Sequence, residues 1–210
     1  MIDFEALKKE QIKIAKKVIT TDSFEKIKTI GGADQAYIGN KVISAIAVCD
    51  YTSLKLIEEK HAVVNAKVPY KSGFLFYSDS PAVMEAFNNL ENKPDVLIVK
   101  ANGILHPRRI GMASHLGILL DIATIGVTKD LMLGEVREKT IYVEKEARGY
   151  ELITREHARP IYISPGNKIS LKTSLEIVKN SLRQPHKLPE PLHLAHKYGN
   201  KVRKELHAST

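Results

Sequence analysis

Short apolar segments separated by turn residues occupy much of the first half of the chain. They are rich in Val, Ile and Ala and cover residues 29–37, 41–51 and 54–64. Gly39-Asn40, between the first two segments, is a typical hairpin turn. Ahead of them, residues 5–19 place apolar side chains on one helical stripe and lysines elsewhere. The pattern predicts an amphipathic helix followed by an antiparallel three-stranded meander.

The second half of the chain alternates helical and strand-like patterns. Ser80 and Pro81 fit the N-cap and first residue of a helix that runs to about Asn92, and Pro107 fits the start of another over residues 107–121. Further helices are expected at residues 170–182 and from about residue 190, and strands at residues 96–99, 124–127, 140–143 and 161–163. We predict an α/β fold, a single domain over residues 1–210, with a mixed sheet whose antiparallel meander precedes parallel strands and with helices on both faces.

Composition bounds the class of protein. The 210 residues are 43% hydrophobic and 27% charged, which is typical of a globular chain, and the single cysteine, Cys49, excludes an internal disulfide framework. The N-terminal residues lack the pattern of a signal peptide, and no apolar run is long enough to span a bilayer. We therefore expect a cytoplasmic protein that does not cross a membrane.

The charge balance points to a polyanionic partner. Lys and Arg total 32 against 24 for Asp and Glu, a formal net charge of +8. An excess of this size favours nucleic acid first and an anionic membrane surface second. The basic residues near the C-terminus supply sequence-independent phosphate contacts in one interpretation and a solvated helix face in the other; they are Lys197, Lys201, Arg203 and Lys204.

The loop after the apolar run at residues 96–99 concentrates candidate chemistry. In open α/β sheets the functional residues usually lie beyond the carboxyl ends of the strands. This loop contains His106, Arg108 and Arg109 just before a predicted helix. Backbone N–H groups at a helix start and forked guanidinium groups both suit phosphate. The alternative is that the two arginines are ordinary surface charges.

Several motifs occur together and in order along the chain. They are Gly-Gly-Ala-Asp-Gln-Ala-Tyr (31–37), Pro-Tyr-Lys-Ser-Gly (69–73), Gly-x-x-His-Pro-Arg-Arg (103–109), Ala-Ser-His-Leu-Gly (113–117), Thr-Ile-Gly-Val-x-Lys (124–129), Ser-Pro-Gly-Asn (164–167) and Leu-Pro-Glu-Pro-Leu-His-Leu-Ala-His (188–196). With these motifs the chain resembles the endonuclease V family over about residues 5–205. The resemblance implies a ribonuclease H-like fold and cleavage, with Mg²⁺, of DNA or RNA near a deaminated adenine (inosine).

The resemblance also implies a metal site. The family has an Asp on the first strand, a Glu shortly after the Pro-Tyr segment and an Asp at the end of the buried strand, positions that fall on Asp34, Asp79 and Lys100 here. Asp34 and Asp79 are the candidate metal ligands if a metal is bound, because Mg²⁺ prefers oxygen ligands. His106, which matches a family histidine, belongs to the same implied site.

Further implied site residues lie elsewhere in the chain. Lys129 matches a family lysine and His115 a second family histidine, which we expect among the nucleic-acid contacts with Arg108 and Arg109. A histidine of the family near the C-terminus falls on Asn167. The other histidines, including His196, show no metal-ligand spacing.

Base recognition in the family depends on flipping the base into a close-fitting pocket. The resemblance places Tyr70 where an aromatic ring would fill the gap that the flipped base leaves. Gly73, Gly103 and Gly111 stand at plausible positions for the pocket. Ala101 replaces a family glycine and would crowd the approach of a base to the backbone.

Lys100 decides between three hypotheses. At 4 Å, one pair of unit charges is worth about 4 kcal/mol at an effective dielectric near 20, so an ammonium in place of a carboxylate strongly opposes a divalent ion. In the first and favoured hypothesis, Lys100 lies between Asp34 and Asp79, takes the electrostatic place of the metal, and leaves a nucleic-acid-binding protein with little or no metal-dependent cleavage. In the second, the chain is an active endonuclease with an altered metal site. In the third, it binds nucleic acid without preference for a damaged base.

Overall fold

A nine-stranded mixed sheet organises the computed structural model, which describes residues 2–208. The strands of this described part are Thr29–Ile38 (β1), Lys41–Asp50 (β2), Leu56–Asn65 (β3), Val96–Val99 (β4), Ala123–Thr128 (β5), Glu135–Arg137 (β6), Thr140–Val143 (β7), Glu146–Leu152 (β8) and Ile161–Asn167 (β9). The helices are Phe4–Ala15 (α1), Leu75–Asn88 (α2), Met112–Leu119 (α3), Leu171–Asn180 (α4) and Glu190–Ala208 (α5).

The strands lie side by side in the order β3-β2-β1-β4-β5-β9-β8-β7-β6. The first three pair as an antiparallel meander, β4 and β5 join it in parallel, and β9 returns antiparallel to β5. The predicted meander followed by parallel strands is confirmed. Strands β6 and β8, which the sequence pattern did not indicate, extend the sheet with a second antiparallel portion.

Helices cover both faces of the sheet, as predicted. Helices α2 and α3 pack over Leu97 and Val99 of β4, and helices α4 and α5 pack over Val96 and Ile98 on the opposite face. Helix α5 lies so close to β1 that a Cβ added to Gly32 would come within 2.3 Å of its backbone. Among the described residues, no helix combines the length and apolar character needed to cross a membrane.

The predicted start of α2 is wrong. The helix begins at Leu75, and Pro81 lies inside it rather than at its first position. Proline removes one helical hydrogen bond, but the first turn of α2 buries the ring of Phe76 in the core between the helix and the sheet. Burial of that aromatic side chain favours a helix that starts earlier than the local proline signal indicates.

The predicted start of α3 is also wrong. The helix begins at Met112, because Arg109 has a φ of +58°, outside the helical region. The loop that precedes the helix is held by its own backbone, since the N–H of Gly111 donates to the carbonyl of Gly103. This folded loop positions the residues beyond β4 against the end of the sheet.

Candidate functional site

The buried carboxylate of Asp34 is the centre of a cluster of polar side chains. Ala33 of β1 pairs with Val99 of β4, so Asp34 and Lys100 follow side by side at the carboxyl end of β4. Lys100 Nζ lies 2.7 Å from Asp34 Oδ1 and 3.0 Å from Oδ2. Asp34 is only 4% exposed, so its contact with the ammonium lies in a poorly solvated environment.

His196 completes the cluster, and the sequence analysis missed it. Its Nδ1 lies 2.5 Å from Asp34 Oδ2, and the side-chain amide of Asn200 approaches its Nε2 at 3.1 Å. The contact joins residues 162 positions apart, which α5 brings together by packing on β1. The only available signal was the position of His196 at the end of the motif at residues 188–196.

Asp79 lies apart from the ammonium. Its Oδ2 accepts a hydrogen bond from the hydroxyl of Tyr37 at 2.5 Å and its Oδ1 one from Ser78 Oγ at 2.6 Å. Burial raises the pKa of the Asp79 carboxyl above its ordinary value and also raises the pKa of Tyr37. Within residues 2–208 no ion pair joins Asp79 to Lys100, so the expectation that the ammonium bridges both acids is met at one acid only.

The alternation of β1 explains this division. Gly32 faces α5, and Asp34, two residues further on, faces the same helix and meets His196. Tyr37 is an odd number of residues from Asp34, so its ring lies on the α2 side, where it meets Asp79. The two acids therefore approach β1 from opposite faces of the sheet.

The residues present do not fit the Mg²⁺ site that the family resemblance implies. Both oxygens of Asp34 are contacted by Lys100, and one also by His196. Both oxygens of Asp79 accept hydrogen bonds from hydroxyl groups. Among the described residues, no group of three or more acidic, histidine or cysteine side chains is arranged to hold a metal ion. The cluster supplies a fixed cation where a metal ion would require free carboxylate oxygens.

An open groove runs past this cluster. Its volume is about 530 Å³, and its lining includes Tyr70, Lys100, Asn102 and Lys129. Tyr70 is 74% exposed, so its ring faces solvent at the groove wall. Lys129 and the Asp34-paired Lys100 bring two ammonium groups to the groove, and the exposed Asp130 brings one carboxylate. Lysine ammonium groups are suited to the phosphates of a nucleic-acid chain.

A smaller pocket of about 30 Å³ adjoins the loop beyond β4. Gly73, Phe76, Ala101, His106 and Gly111 are among its lining residues. Two of the predicted pocket glycines, Gly73 and Gly111, therefore line one cavity. Gly103 does not line it; a Cβ there would lie 2.0 Å from the carbonyl oxygen of Pro165, so this glycine permits the loop to pack against β9.

Both arginines that follow His106 are held by protein partners. Arg108 donates to the carbonyl of Gly73 at 2.7 Å and to the side chain of Gln11 at 2.5 Å. Arg109 donates to Glu146 at 2.8 Å. Burial raises the pKa of Glu146, but hydrogen bonds from Arg109 and a neighbouring arginine outweigh it and hold that pKa below its ordinary value. The structure thus uses both guanidinium groups to hold the loop.

The two motif histidines are buried beneath the pocket. His106 Nε2 lies 3.1 Å from the carbonyl of Gly73, and His106 Nδ1 accepts from the backbone N–H of Arg108. His115 stacks on Phe76 with ring centroids 3.5 Å apart. Burial lowers the pKa of each imidazole to about 4, so both are neutral near pH 7.

Asn167 is not brought to the cluster. It pairs with Thr124 of β5, which in turn pairs with Leu97 of β4, three residues before Lys100. That offset is roughly 10 Å along the strands. Its side chain accepts from the backbone N–H of Ile19 and donates to the carbonyl of Gly117, so it ties three segments together.

The fold and the cluster together define a class. A mixed sheet whose first strand carries a buried Asp beside the end of a parallel strand is a ribonuclease H-like fold. The chain belongs to the endonuclease V family, since the model of that family, described as Endonuclease V, matches residues 12–197.

Individual relatives agree along nearly the whole chain. Endonuclease V of Dictyoglomus thermophilum is 35% identical over 209 residues, covering 96% of this chain and 91% of the relative. The crystal structure of the Bacillus subtilis protein superimposes with a TM-score of 0.91 at 29% identity, covering 100% of this chain and 96% of that one. Ciona intestinalis endonuclease V was solved with a 24mer DNA containing an inosine followed by a ribo-adenosine. It superimposes with a TM-score of 0.84 at 27% identity, covering 97% of this chain and 98% of that one.

Proposed function

We propose that this chain is an endonuclease V family protein that binds inosine-containing nucleic acid and has lost most or all metal-dependent cleavage. The observation that carries the proposal is the contact between Lys100 and Asp34, at 2.7 and 3.0 Å. A lysine ammonium satisfies the carboxylate directly, so a divalent ion must displace it at a Coulombic cost. That cost is several kcal/mol at the distances of a metal shell.

The binding half of the proposal is supported by what surrounds the cluster. The open groove carries Lys100 and Lys129 for phosphate, and the exposed ring of Tyr70 stands at its wall. The pocket lined by Gly73 and Gly111 is mostly apolar and also carries the polar side chains of Gln11, Asn102 and His106, so a flipped base would fit in it once the pocket widens. The Ciona relative solved with inosine-containing DNA supports the same class of ligand.

The residues of this chain then act as binders rather than as metal ligands. Lys100 neutralises Asp34, which would otherwise repel a phosphate, and His196 holds the far side of that carboxylate. Asp79 is kept from the ligand by Tyr37 and Ser78. The net effect is that neither Asp34 nor Asp79 presents an unpaired carboxylate to the ligand, which favours a phosphate chain without a metal ion.

A cleavage assay tests the proposal. Single-stranded DNA and RNA oligonucleotides, each with one inosine, are incubated with the protein and Mg²⁺ or Mn²⁺, with the Dictyoglomus relative as the positive control. We expect no cutting above background. Robust cutting by this chain that Asp34→Ala abolishes would overturn the proposal and favour an active enzyme with an altered metal site.

Binding is measured separately, in EDTA, by fluorescence anisotropy on the same oligonucleotides. We expect tighter binding to the inosine oligonucleotide than to its adenosine counterpart, because the pocket selects the base while the groove binds the phosphates. Equal affinities with a steep salt dependence would mean purely phosphate-driven binding and would contradict the inosine assignment.

A further inference from the structure

Two more grooves continue the one that runs past Lys100. Tyr70 lines both the groove with Lys100 and Lys129 and a second groove of about 370 Å³ at the β1–β2 turn. Tyr37 lines this second groove and a third one, of about 520 Å³, at the end of α5. We call them the site groove, the hairpin groove and the helix-end groove. Because neighbouring grooves share an exposed tyrosine, Tyr70 or Tyr37, we call this succession of grooves the path.

The hairpin groove and the helix-end groove carry unpaired cations. Lys41 and Lys67 line the hairpin groove, and Arg203 and Lys204 line the helix-end groove. All four side chains are exposed, and within residues 2–208 none of them forms an ion pair. The one acidic side chain lining either groove is Asp79, which is fully buried and bonded to Tyr37.

The tyrosines at the junctions are suited to stacking. Tyr70 is 74% exposed and Tyr37 47% exposed, so each presents ring surface to the path. The hydroxyl of Tyr37 is fixed to Asp79 at 2.5 Å, which holds the ring in place. Exposed aromatic rings interleaved with lysines are how proteins bind a single strand without reading its sequence, because every base has a face that can stack.

We infer that the hairpin and helix-end grooves bind a single strand of nucleic acid that continues out of the site groove. Stacking on Tyr37 and phosphate pairing with Lys41, Lys67, Arg203 and Lys204 would hold it. This inference rests on the proposed function for the site groove, and it adds a second binding segment with a length requirement. According to this inference, the surface around the β1–β2 turn increases the affinity of the protein for a long single strand.

The experiment compares single strands of two lengths in EDTA, about 6 and about 16 nucleotides, each with a central inosine. We expect the long strand to bind at least roughly tenfold more tightly than the short one. In the double variant Lys41→Glu/Lys67→Glu the long strand should lose that gain in affinity. The slope of the logarithm of its binding constant against the logarithm of the salt concentration should fall in magnitude by about 1.4. Binding of the short strand should be nearly unaffected. The matched control is Lys26→Glu/Lys55→Glu, which makes the same charge change just before β1 and just after β2, at the ends of these strands that lie away from the β1–β2 turn.

Stacking is tested with Tyr37. Tyr37→Ala should weaken binding of the long strand about fivefold or more, while Tyr37→Phe, which keeps the ring, should retain most of the affinity. Equal losses in Tyr37→Ala and Tyr37→Phe would contradict stacking and assign the effect to the hydroxyl.

The outcomes separate this inference from the proposed function. If the short strand does not bind, the proposed function fails. If it binds but length adds nothing, or the control pair loses as much as the groove pair, the second segment does not exist. A third arm uses vesicles rich in phosphatidylserine. If the parent chain binds these vesicles, Lys41→Glu/Lys67→Glu does not, and strand length has no effect on nucleic-acid binding, the cations serve a membrane surface and the inference is overturned.

Discussion

At the scale of residues, the interaction between Lys100 and Asp34 determines the character of the site. Lys100 is 25% exposed at its side chain and Asp34 5%, so the pair lies between the weak surface case and the fully buried case. Removing one partner of such a pair leaves the other charge desolvated and uncompensated, whereas replacing both removes the penalty.

This asymmetry gives the first prediction. Asp34→Asn should lower the free energy of unfolding by about 3 kcal/mol, because Lys100 keeps its charge but loses its carboxylate. The double variant Asp34→Asn/Lys100→Met should recover part of that loss. Urea unfolding at pH 7 measures both variants together with Lys100→Met alone. Strictly additive effects would mean that the two side chains are not coupled.

Sequence patterns predicted part of this cluster. The family resemblance predicted that Asp34 and Lys100 meet, because it places both at one implied metal site. The pairing of Ala33 with Val99 brings them together in the structure. His196 could not be placed in this way, since its contact with Asp34 depends on how a distant helix packs across the sheet. Asn167 was assigned to the site by motif position alone, and the strand register puts it elsewhere.

At the scale of elements, Glu58 of β3 holds the chain where α2 has ended. Its carboxylate accepts backbone N–H bonds from Glu91 at 3.0 Å and from Asn92 at 2.8 Å. Burial raises the pKa of Glu58, but these hydrogen bonds outweigh it and bring the pKa to about 2. A carboxyl group whose pKa is depressed on folding adds stability above its ordinary pKa and loses it as the pH falls through the folded value.

The second prediction follows from that linkage. Glu58→Gln should lower the free energy of unfolding by about 2 kcal/mol at pH 7, because an amide is a weaker acceptor for the two N–H groups. The difference from the parent chain should shrink at pH 3 and be nearly absent near pH 2. Urea unfolding at the three pH values checks it, with the exposed neighbour Glu59→Gln as the control. A difference that does not change with pH would contradict the carboxylate cap.

Element boundaries were the least predictable part of the fold. The apolar run predicted the strand at Val96–Val99, because a strand that is buried on both faces consists almost entirely of apolar residues. The starts of α2 and α3 were misplaced because proline is only a local signal, and the core around Phe76 and the backbone of Arg109 decide where each helix begins. Strand β6 is exposed along its length, so it has no apolar pattern to detect.

At the scale of the whole molecule, net charge and fold act together. The formal charge of +8 is compatible with many partners, but each of the three grooves that succeed one another through Tyr70 and Tyr37 is lined by two cationic side chains, the first of them Lys100 beside Asp34. The family relation accounts for the fold, and a nucleic-acid ligand is part of the proposed function. Among the departures from the family pattern that the sequence indicates, Lys100 is the one on which the proposed loss of cleavage depends, because its ammonium contacts both oxygens of Asp34.

Titration calorimetry with Mg²⁺ tests that departure most directly. The parent chain, Lys100→Asp/Asp79→Glu and the charge-matched control Lys26→Asp are each titrated in the absence of nucleic acid. We predict no saturable Mg²⁺ binding for the parent chain or the control, and saturable binding once the ammonium is replaced. Saturable binding by the parent chain that disappears in Asp34→Asn would contradict the account, because the metal would then share the carboxylate that we assign to Lys100.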